Sequence, residues 1–169
     1  GAMALMTTGI LWLLPRAHAL IAGPEVFEAS QYDGSAYTLD LADARLTLVN
    51  ANLPLAETTA PSLAVADDAT GVQLDAEAAQ SYRTMAAAAR QQGVTLTLEE
   101  GYQDTADEYA TGYGADILSA DSTEKTAAFA KSRAYQWLTA YAAEYGFVER
   151  WPEDRQAATG MAYAPWHWR

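Results

Sequence analysis

The residues of this chain best suited to chemistry lie at its end, where a histidine stands between two tryptophans in residues 160–169. His167 is one of only two histidines in the sequence. If the stretch is a strand, its side chains alternate between faces, so His167 points away from Trp166 and Trp168. One of these faces then lines a cleft. The alternative is a histidine that is hydrogen-bonded within the core.

Three stretches carry a more specific pattern. Residues 107–116 read Asp-Glu-Tyr-Ala-Thr-Gly-Tyr-Gly-Ala-Asp, residues 164–167 read Ala-Pro-Trp-His, and residues 101–103 read Gly-Tyr-Gln. They resemble the Ser-x-His-x-x-Gly-x-Ala-x-Asp, Glu-Pro-Trp-His and Gly-Tyr-Arg-Ser motifs of the VanY-type D-alanyl-D-alanine carboxypeptidases. These are zinc peptidases that trim the peptide stems of the bacterial cell wall. The resemblance runs from about Leu48 to the end of the sequence.

The resemblance implies a role for each matching position. In the family, two histidines and one aspartate hold zinc, a glutamate three residues before the second histidine is the general base, and an arginine orients the substrate. Asp116 and His167 match two of the zinc ligands. Tyr109 stands at the remaining histidine, Ala164 at the general base and Gln103 at the arginine. The predicted metal residues are thus a residual pair, Asp116 and His167, with Tyr109 in place of the third ligand.

These differences predict an impaired zinc site. A neutral phenol is a poor ligand, and deprotonating it at pH 7 costs about 4 kcal/mol when its pKa is near 10. A methyl group at position 164 cannot accept a proton, and loss of a general base alone removes about 10²–10⁴ in rate. Either Asp107 or Glu108 would have to reach the metal instead. We expect zinc to bind weakly or not at all, and Tyr109→His to restore a third ligand.

The elements that must position these residues belong to an α+β domain, in which a mainly antiparallel sheet packs against two principal helices. This agrees with the D,D-carboxypeptidase (VanY/hedgehog-like) fold that the resemblance implies. In chain order the predicted elements are a strand over 45–50, a surface loop over 51–71, a helix over 75–92, a strand over 94–99, a helix from 121 or 122 to 145, and a returning strand from 147.

Residues 46–169 are assigned to the carboxypeptidase-like domain and residues 1–45 to an N-terminal extension. Residues 1–3 resemble a cloning scar. The apolar run over 4–19 resembles a signal-peptide core, but it lacks a basic start and is too short to span a membrane. We therefore expect packed structure there, with a hairpin turn at Asp33-Gly34 and a structural role for His18.

Charge and cysteine content exclude several classes of function. The 10 basic and 22 acidic residues give a net charge of −12, so nucleic acid and anionic membrane surfaces are not expected as partners. Solubility alone is enough to explain the acidity. The sequence has no cysteine, which excludes disulfides and thiolate metal sites and is compatible with export.

Three functions stay open at this point. The first is a non-catalytic relative of the carboxypeptidases that binds a cell-wall stem peptide or a protein partner at the bacterial envelope. The second is an active zinc peptidase with a substituted ligand set, and the third is a structural interaction module. The predicted substrate-binding residues are Tyr102, Gln103, Tyr109 and Trp166, and Tyr113 and Trp168 are expected in the same cleft.

Overall fold

A three-stranded antiparallel sheet lies at the centre of the computed structural model, which describes residues 43–55 and 60–169. From one edge to the other its strands are β3 (Leu96–Glu100), β4 (Ala115–Ser119) and β5 (His167–Trp168). A second sheet pairs β1 (Leu63–Val65) with β2 (Gln73–Asp75), also antiparallel. All the described residues belong to one unit, Asp40–Arg169. The predicted α+β class with an antiparallel sheet is confirmed.

Strand β4 is the central strand, and all five of its residues are buried. Successive side chains of a strand point to opposite faces, so burial of both Ile117 and Leu118 means that both faces of β4 are covered. The register between β4 and β5 places Asp116 opposite His167. The sheet therefore brings together, in its buried centre, two residues that are 51 positions apart in the sequence.

Helix α1 (Ala76–Gln91) packs on both sheets and is the predicted helix over 75–92. Asp75 caps it, because its side-chain oxygen accepts a hydrogen bond of 3.0 Å from the backbone N–H of Glu77. Tyr82 and Met85 lie on its buried face and are at most 1% exposed. Burial of side chains of this size stabilises the fold by about 1.5–3 kcal/mol each.

The second principal helix is shorter than predicted. Helix α2 runs over Arg133–Tyr141, and the Ser132 side chain caps it. A start at 121 or 122 is wrong, because Ser122 turns back and pairs with Ser119 at the end of β4. The alanine-rich stretch that follows forms a separate 3-10 helix, Ala127–Lys131. The pairing with the sheet thus prevails over local helix propensity.

The strand predicted over 45–50 is also wrong. A 3-10 helix, Ala44–Leu46, begins there, and the Asp43 carboxylate caps it. Asn50 then bridges to Leu53 in a tight turn, and its side-chain oxygen accepts two backbone hydrogen bonds in that turn. Asp and Asn side chains favour such local bonds over a strand ladder.

The remaining helical segments are the 3-10 helices Glu108–Thr111, Ala142–Tyr145 and Glu153–Arg155, and the short helix α3 (Gln156–Thr159). Within the described ranges, none of the helices is long and apolar enough to cross a membrane. The apolar run over 4–19, His18 and the turn at Asp33-Gly34 lie outside the described residues.

Candidate functional site

The site is built on the pairing of β4 with β5. Asp116 and His167 are 1% and 4% exposed, and the His167 Nδ1 atom lies 2.6 Å from Asp116 Oδ1. The indole ring of Trp151 stacks on the imidazole, with ring centroids 5.8 Å apart and planes inclined by 9°. The two residues that match zinc ligands in the resembled family are thus in direct contact, and a stacked ring holds the imidazole in place.

Tyr109 reaches the same point from the 3-10 helix Glu108–Thr111. Asp107 caps this helix by accepting a hydrogen bond from the Tyr109 N–H. The Tyr109 hydroxyl donates to Asp116 Oδ1 at 2.8 Å and lies 3.3 Å from His167 Nδ1. Burial, followed by the negative charge of Asp116, raises the pKa of the Tyr109 phenol. Tyr109 is therefore a neutral hydrogen-bond donor.

The turn after this helix depends on a glycine. Gly112 has a φ of 77°, a left-handed conformation that favours glycine. A Cβ atom at this position would lie 3.0 Å from both the Asp75 backbone nitrogen and the Pro61 side chain. The conformation and the close packing together fix the path from Tyr109 to Asp116.

Glu108 lies on the other edge of the imidazole ring. Its Oε2 atom is 3.0 Å from His167 Nε2, and its Oε1 atom accepts hydrogen bonds from Arg150 at 2.8 Å and from Arg169 at 2.7 Å. Burial would raise the pKa of Glu108, but the hydrogen bonds from these three residues outweigh it and lower the pKa to about 2. Glu108 is therefore an ionised, fully engaged carboxylate.

Lys125 closes the arrangement from the loop after β4. Its Nζ atom lies 2.7 Å from Asp116 Oδ2 and 2.7 Å from Glu100 Oε1. Burial would raise the pKa of Asp116, but the hydrogen bonds and charges of His167 and Lys125 outweigh it and lower the pKa. We refer to these connected residues as the polar cluster: Glu100, Glu108, Tyr109, Asp116, Lys125, Arg150, His167 and Arg169.

Three residues of the polar cluster, Glu108, Tyr109 and His167, line a groove of about 570 Å³. The rest of its lining is mostly apolar or aromatic and includes Val49, Pro54, Met161, Tyr163, Ala164 and Trp166. Asp107, Glu108 and His167 are the charged residues among the described lining, which contains neither lysine nor arginine. The charge of His167 is matched by Glu108 and Asp116. A ligand here would therefore be held mainly by apolar and aromatic contacts.

The structure places some of the predicted binding residues in the groove and others outside it. Tyr109 and Trp166 line the groove, and so does Ala164 at the general-base position. Tyr102 and Gln103 are not among the lining residues, and the Gln103 amide instead donates to Glu100 at 3.3 Å.

The two other aromatic residues expected in the cleft are elsewhere. Trp168 is part of the core at 2% exposure, and its indole N–H donates to the Pro165 carbonyl. Tyr113 lines a separate pocket of about 300 Å³. Strand alternation explains Trp168, because its side chain points to the face opposite that of His167.

A zinc ion does not fit this arrangement. Ligand atoms on a tetrahedral zinc lie about 3.3–3.6 Å apart, whereas Nδ1 of His167 and Oδ1 of Asp116 are 2.6 Å apart. Both ring nitrogens face carboxylates, so both donate, and an imidazolium has no lone pair for a metal. Burial lowers the pKa of His167, but the hydrogen bonds to Asp116 and Glu108 outweigh it and raise the pKa. Among the described residues, no group of three acidic or histidine side chains is arranged to hold a metal.

Sequence reasoning missed four contributors to the site: Lys125, Arg150, Trp151 and Arg169. Arg150 is 42 residues from Glu108, and Arg169 is 61 residues from it. No local sequence spacing connects such distant residues. The one available signal was that buried carboxylates need cationic partners, and this signal does not identify which lysine or arginine supplies the charge. Glu108 was considered as an alternative zinc ligand or base, and the structure shows it bonded to His167 and two arginines instead.

Comparison with known proteins gives consistent matches for this part of the chain. Residues 106–169 match the family model described as VanY, D-alanyl-D-alanine carboxypeptidase. A D-alanyl-D-alanine carboxypeptidase of Enterococcus faecium is 36% identical over 72 residues, which are 40% of this chain and 24% of that protein. The chain thus spans only about a quarter of the length of this relative.

Solved structures agree on the fold. The LdcB LD-carboxypeptidase, whose structure is described as revealing the basis of peptidoglycan recognition, has a TM-score of 0.66 and 26% identity, covering 74% of this chain and 75% of that one. A VanY D,D-pentapeptidase variant in complex with Zn(II) has a TM-score of 0.63 and 21% identity, covering 75% of this chain and 88% of that one. At 21% identity the second likeness concerns the fold alone.

Proposed function

The chain carries a VanY-type D-alanyl-D-alanine carboxypeptidase domain, and from this premise we propose that the domain binds a cell-wall peptide in its groove without cleaving it. The observation that carries the proposal is the Tyr109 hydroxyl, which bonds Asp116 and lies within hydrogen-bond distance of His167. These are the positions at which the family holds its zinc. The bacterial cell envelope, where such peptides occur, is the location that this function implies.

The residues beside the groove do not supply a base for hydrolysis. Ala164 offers only a methyl group at the position of the family's glutamate. Glu108 is ionised, but three cationic partners lower its pKa to about 2, so it holds protons too weakly to be an effective base near neutral pH. The Asp107 carboxylate is also engaged, because its Oδ1 atom accepts hydrogen bonds from the Tyr109 N–H and from the Thr105 hydroxyl.

The groove nevertheless retains the features of a peptide site. Its volume of about 570 Å³ is within the usual range for small-molecule pockets. Tyr163 and Trp166 offer aromatic faces, and Val49 and Met161 offer apolar contacts for the methyl groups of alanine-rich peptides. Because neither lysine nor arginine is among the described lining residues, we expect apolar contacts, rather than a salt bridge to the peptide carboxylate, to dominate affinity.

The apolar surface extends past the edge of the groove. Leu48 and Leu53 adjoin the lining residues Val49 and Pro54 in the sequence, and they are 56% and 48% exposed. Exposed leucines near an apolar groove favour a ligand longer than a dipeptide. This observation supports a second candidate, an extended segment of a protein partner bound in the same groove.

A calorimetric titration tests binding. The ligands are a stem peptide that ends in D-Ala-D-Ala and the same peptide with an amidated C-terminus. We expect both to bind with affinities within about threefold of each other, because His167, the cation among the described lining residues, already contacts Glu108 and Asp116. Absence of binding by both would contradict the peptide proposal and favour the protein partner.

Two matched variants locate the binding site. Tyr163→Ala removes an aromatic side chain from the groove and should weaken binding about tenfold. Tyr141→Ala removes an exposed tyrosine from helix α2, outside the groove, and should leave the affinity unchanged. Equal effects of the two substitutions would show that the peptide binds elsewhere.

A further inference from the structure

Lys125 occupies an unusual place for a lysine. Its ammonium group lies between two carboxylates on neighbouring strands, Glu100 on β3 and Asp116 on β4, at 2.7 Å from each. Its side chain is only 30% exposed, and the Asp116 side chain is 2% exposed. A buried carboxylate needs a positive partner, and Lys125 is the partner that contacts the second oxygen of Asp116.

Every carboxylate of the polar cluster is already matched by a cation. Lys125 contacts Glu100 and Asp116, while Arg150 and Arg169 contact Glu108. His167 bridges between Glu108 and Asp116. A divalent cation placed against Asp116 would meet the Lys125 ammonium at short range, and like charges at such distances repel strongly in a buried site.

We propose that Lys125 takes the place of the metal as the charge that holds Asp116, so that the polar cluster is ordered without any metal ion. Lys125 is then a positioning residue. It neutralises Asp116, which in turn accepts hydrogen bonds from Tyr109 and His167. The inference concerns the metal independence of the fold, and it stands whether or not the groove binds a peptide.

The proposal changes what a reconstructed zinc site requires. Tyr109→His would supply the third ligand of the family pattern, but the Lys125 ammonium would still contact Asp116 Oδ2. Zinc would therefore have to displace a bound cation before it could bind. Removal of that cation, together with the Tyr109→His substitution, should be needed for tight binding.

A zinc titration of four proteins tests this requirement. They are the unaltered protein, Tyr109→His, Tyr109→His with Lys125→Gln, and Tyr109→His with Lys131→Gln. Lys131 is an exposed lysine, so its substitution matches the change in net charge without touching the cluster. The Lys125→Gln combination should bind zinc about tenfold or more tightly than Tyr109→His alone, and the Lys131→Gln combination should not.

Two results would overturn the proposal. One is a Tyr109→His protein that already binds zinc as tightly as the Lys125→Gln combination. The other is an equal gain from Lys131→Gln, which would mean that net charge alone sets the affinity.

A measurement on the unaltered protein avoids dependence on the folding of the variants. Its melting temperature should be the same after treatment with a chelator and after addition of zinc, because Lys125 already holds Asp116. A melting temperature that falls with the chelator and rises again with zinc would refute the inference.

Discussion

The polar cluster and the groove share Tyr109, Glu108 and His167, but they differ in the kind of interaction that they offer. In the cluster, each buried carboxylate contacts at least one cationic side chain, and the hydrogen bonds join distant parts of the chain. In the groove, the lining is mostly apolar and open to a ligand. Saturated charges gain little from a further partner, whereas exposed apolar surface gains from burial. The cluster thus consists of charges that are already matched, whereas the groove presents apolar surface that a ligand could cover.

The largest expected effect comes from breaking the cluster at Glu108. Glu108→Ala leaves Arg150, Arg169 and His167 without their shared carboxylate in a buried setting. Removal of one member of a buried ion-pair group typically costs about 3–5 kcal/mol, so the free energy of unfolding should fall by that amount. Chemical denaturation measures it.

The matched control is Glu153→Ala, which removes an exposed carboxylate from a 3-10 helix. It should change the free energy of unfolding by less than about 0.5 kcal/mol. If the two substitutions had similar effects, the cluster would not be a stabilising element.

Acid should weaken the cluster in a defined pH range. The pKa of Glu108 is lowered from 4.5 to about 2, so its contribution to stability is complete above pH 4.5 and is lost as the pH falls towards 2. The loss is on the order of 3 kcal/mol. The pKa of Asp116 is also lowered, so its contribution to stability is likewise lost as the pH falls. The pKa of His167 is raised, so its contribution to stability is present at low pH and is lost as the pH rises through the raised value.

The test of this prediction compares denaturation curves of the unaltered protein and Glu108→Gln between pH 4.5 and pH 2. The free energy of unfolding of the variant should depend less steeply on pH in this range, because the variant has no carboxylate at position 108 to protonate. Identical slopes would mean that Glu108 does not titrate abnormally in the folded protein.

A smaller effect is expected from Tyr109→Phe. The substitution removes the hydroxyl that donates to Asp116 but keeps the ring, so the loss should be about 1–2 kcal/mol. Tyr102→Phe is the control, since Tyr102 is not a member of the polar cluster, and it should change stability by less than about 0.5 kcal/mol. Thermal unfolding of both variants measures the difference. An unchanged Tyr109→Phe protein would contradict the role of this hydroxyl in the cluster.

The groove should show the reverse pattern. Ala164→Phe adds a ring inside the groove, so peptide binding should be blocked while the free energy of unfolding changes by no more than about 1 kcal/mol. Ala157→Phe adds the same ring at an exposed position of α3 and should leave binding intact. Calorimetry measures affinity, and denaturation measures stability. A peptide that still binds to the Ala164→Phe protein would place its site outside the groove.

The sequence was informative where motifs and short-range patterns were involved. Asp116, Tyr109 and His167 came from motif positions, and the structure brings them within hydrogen-bond distance of one another. Helix α1 followed from its Asp75 cap and its apolar face. These features depend on neighbours in the sequence or on a repeated pattern.

The remaining features depend on contacts that no local pattern encodes. Ser122 and Ser132 are both plausible helix caps, and only the pairing of Ser122 with Ser119 decides between them. Lys125 follows that same turn in the sequence and contacts Asp116. The cations of the cluster were therefore missed, although burial of its carboxylates requires them.

The most direct test of the account is an assay for D-alanine release from a stem peptide ending in D-Ala-D-Ala, with the peptide at saturating concentration and zinc either added or removed. Tyr109, Ala164 and Lys125 together predict binding without release under both conditions. Release of D-alanine that stops with a chelator and resumes with zinc would contradict the account, because it would show a working metal centre where the structure places a saturated polar cluster.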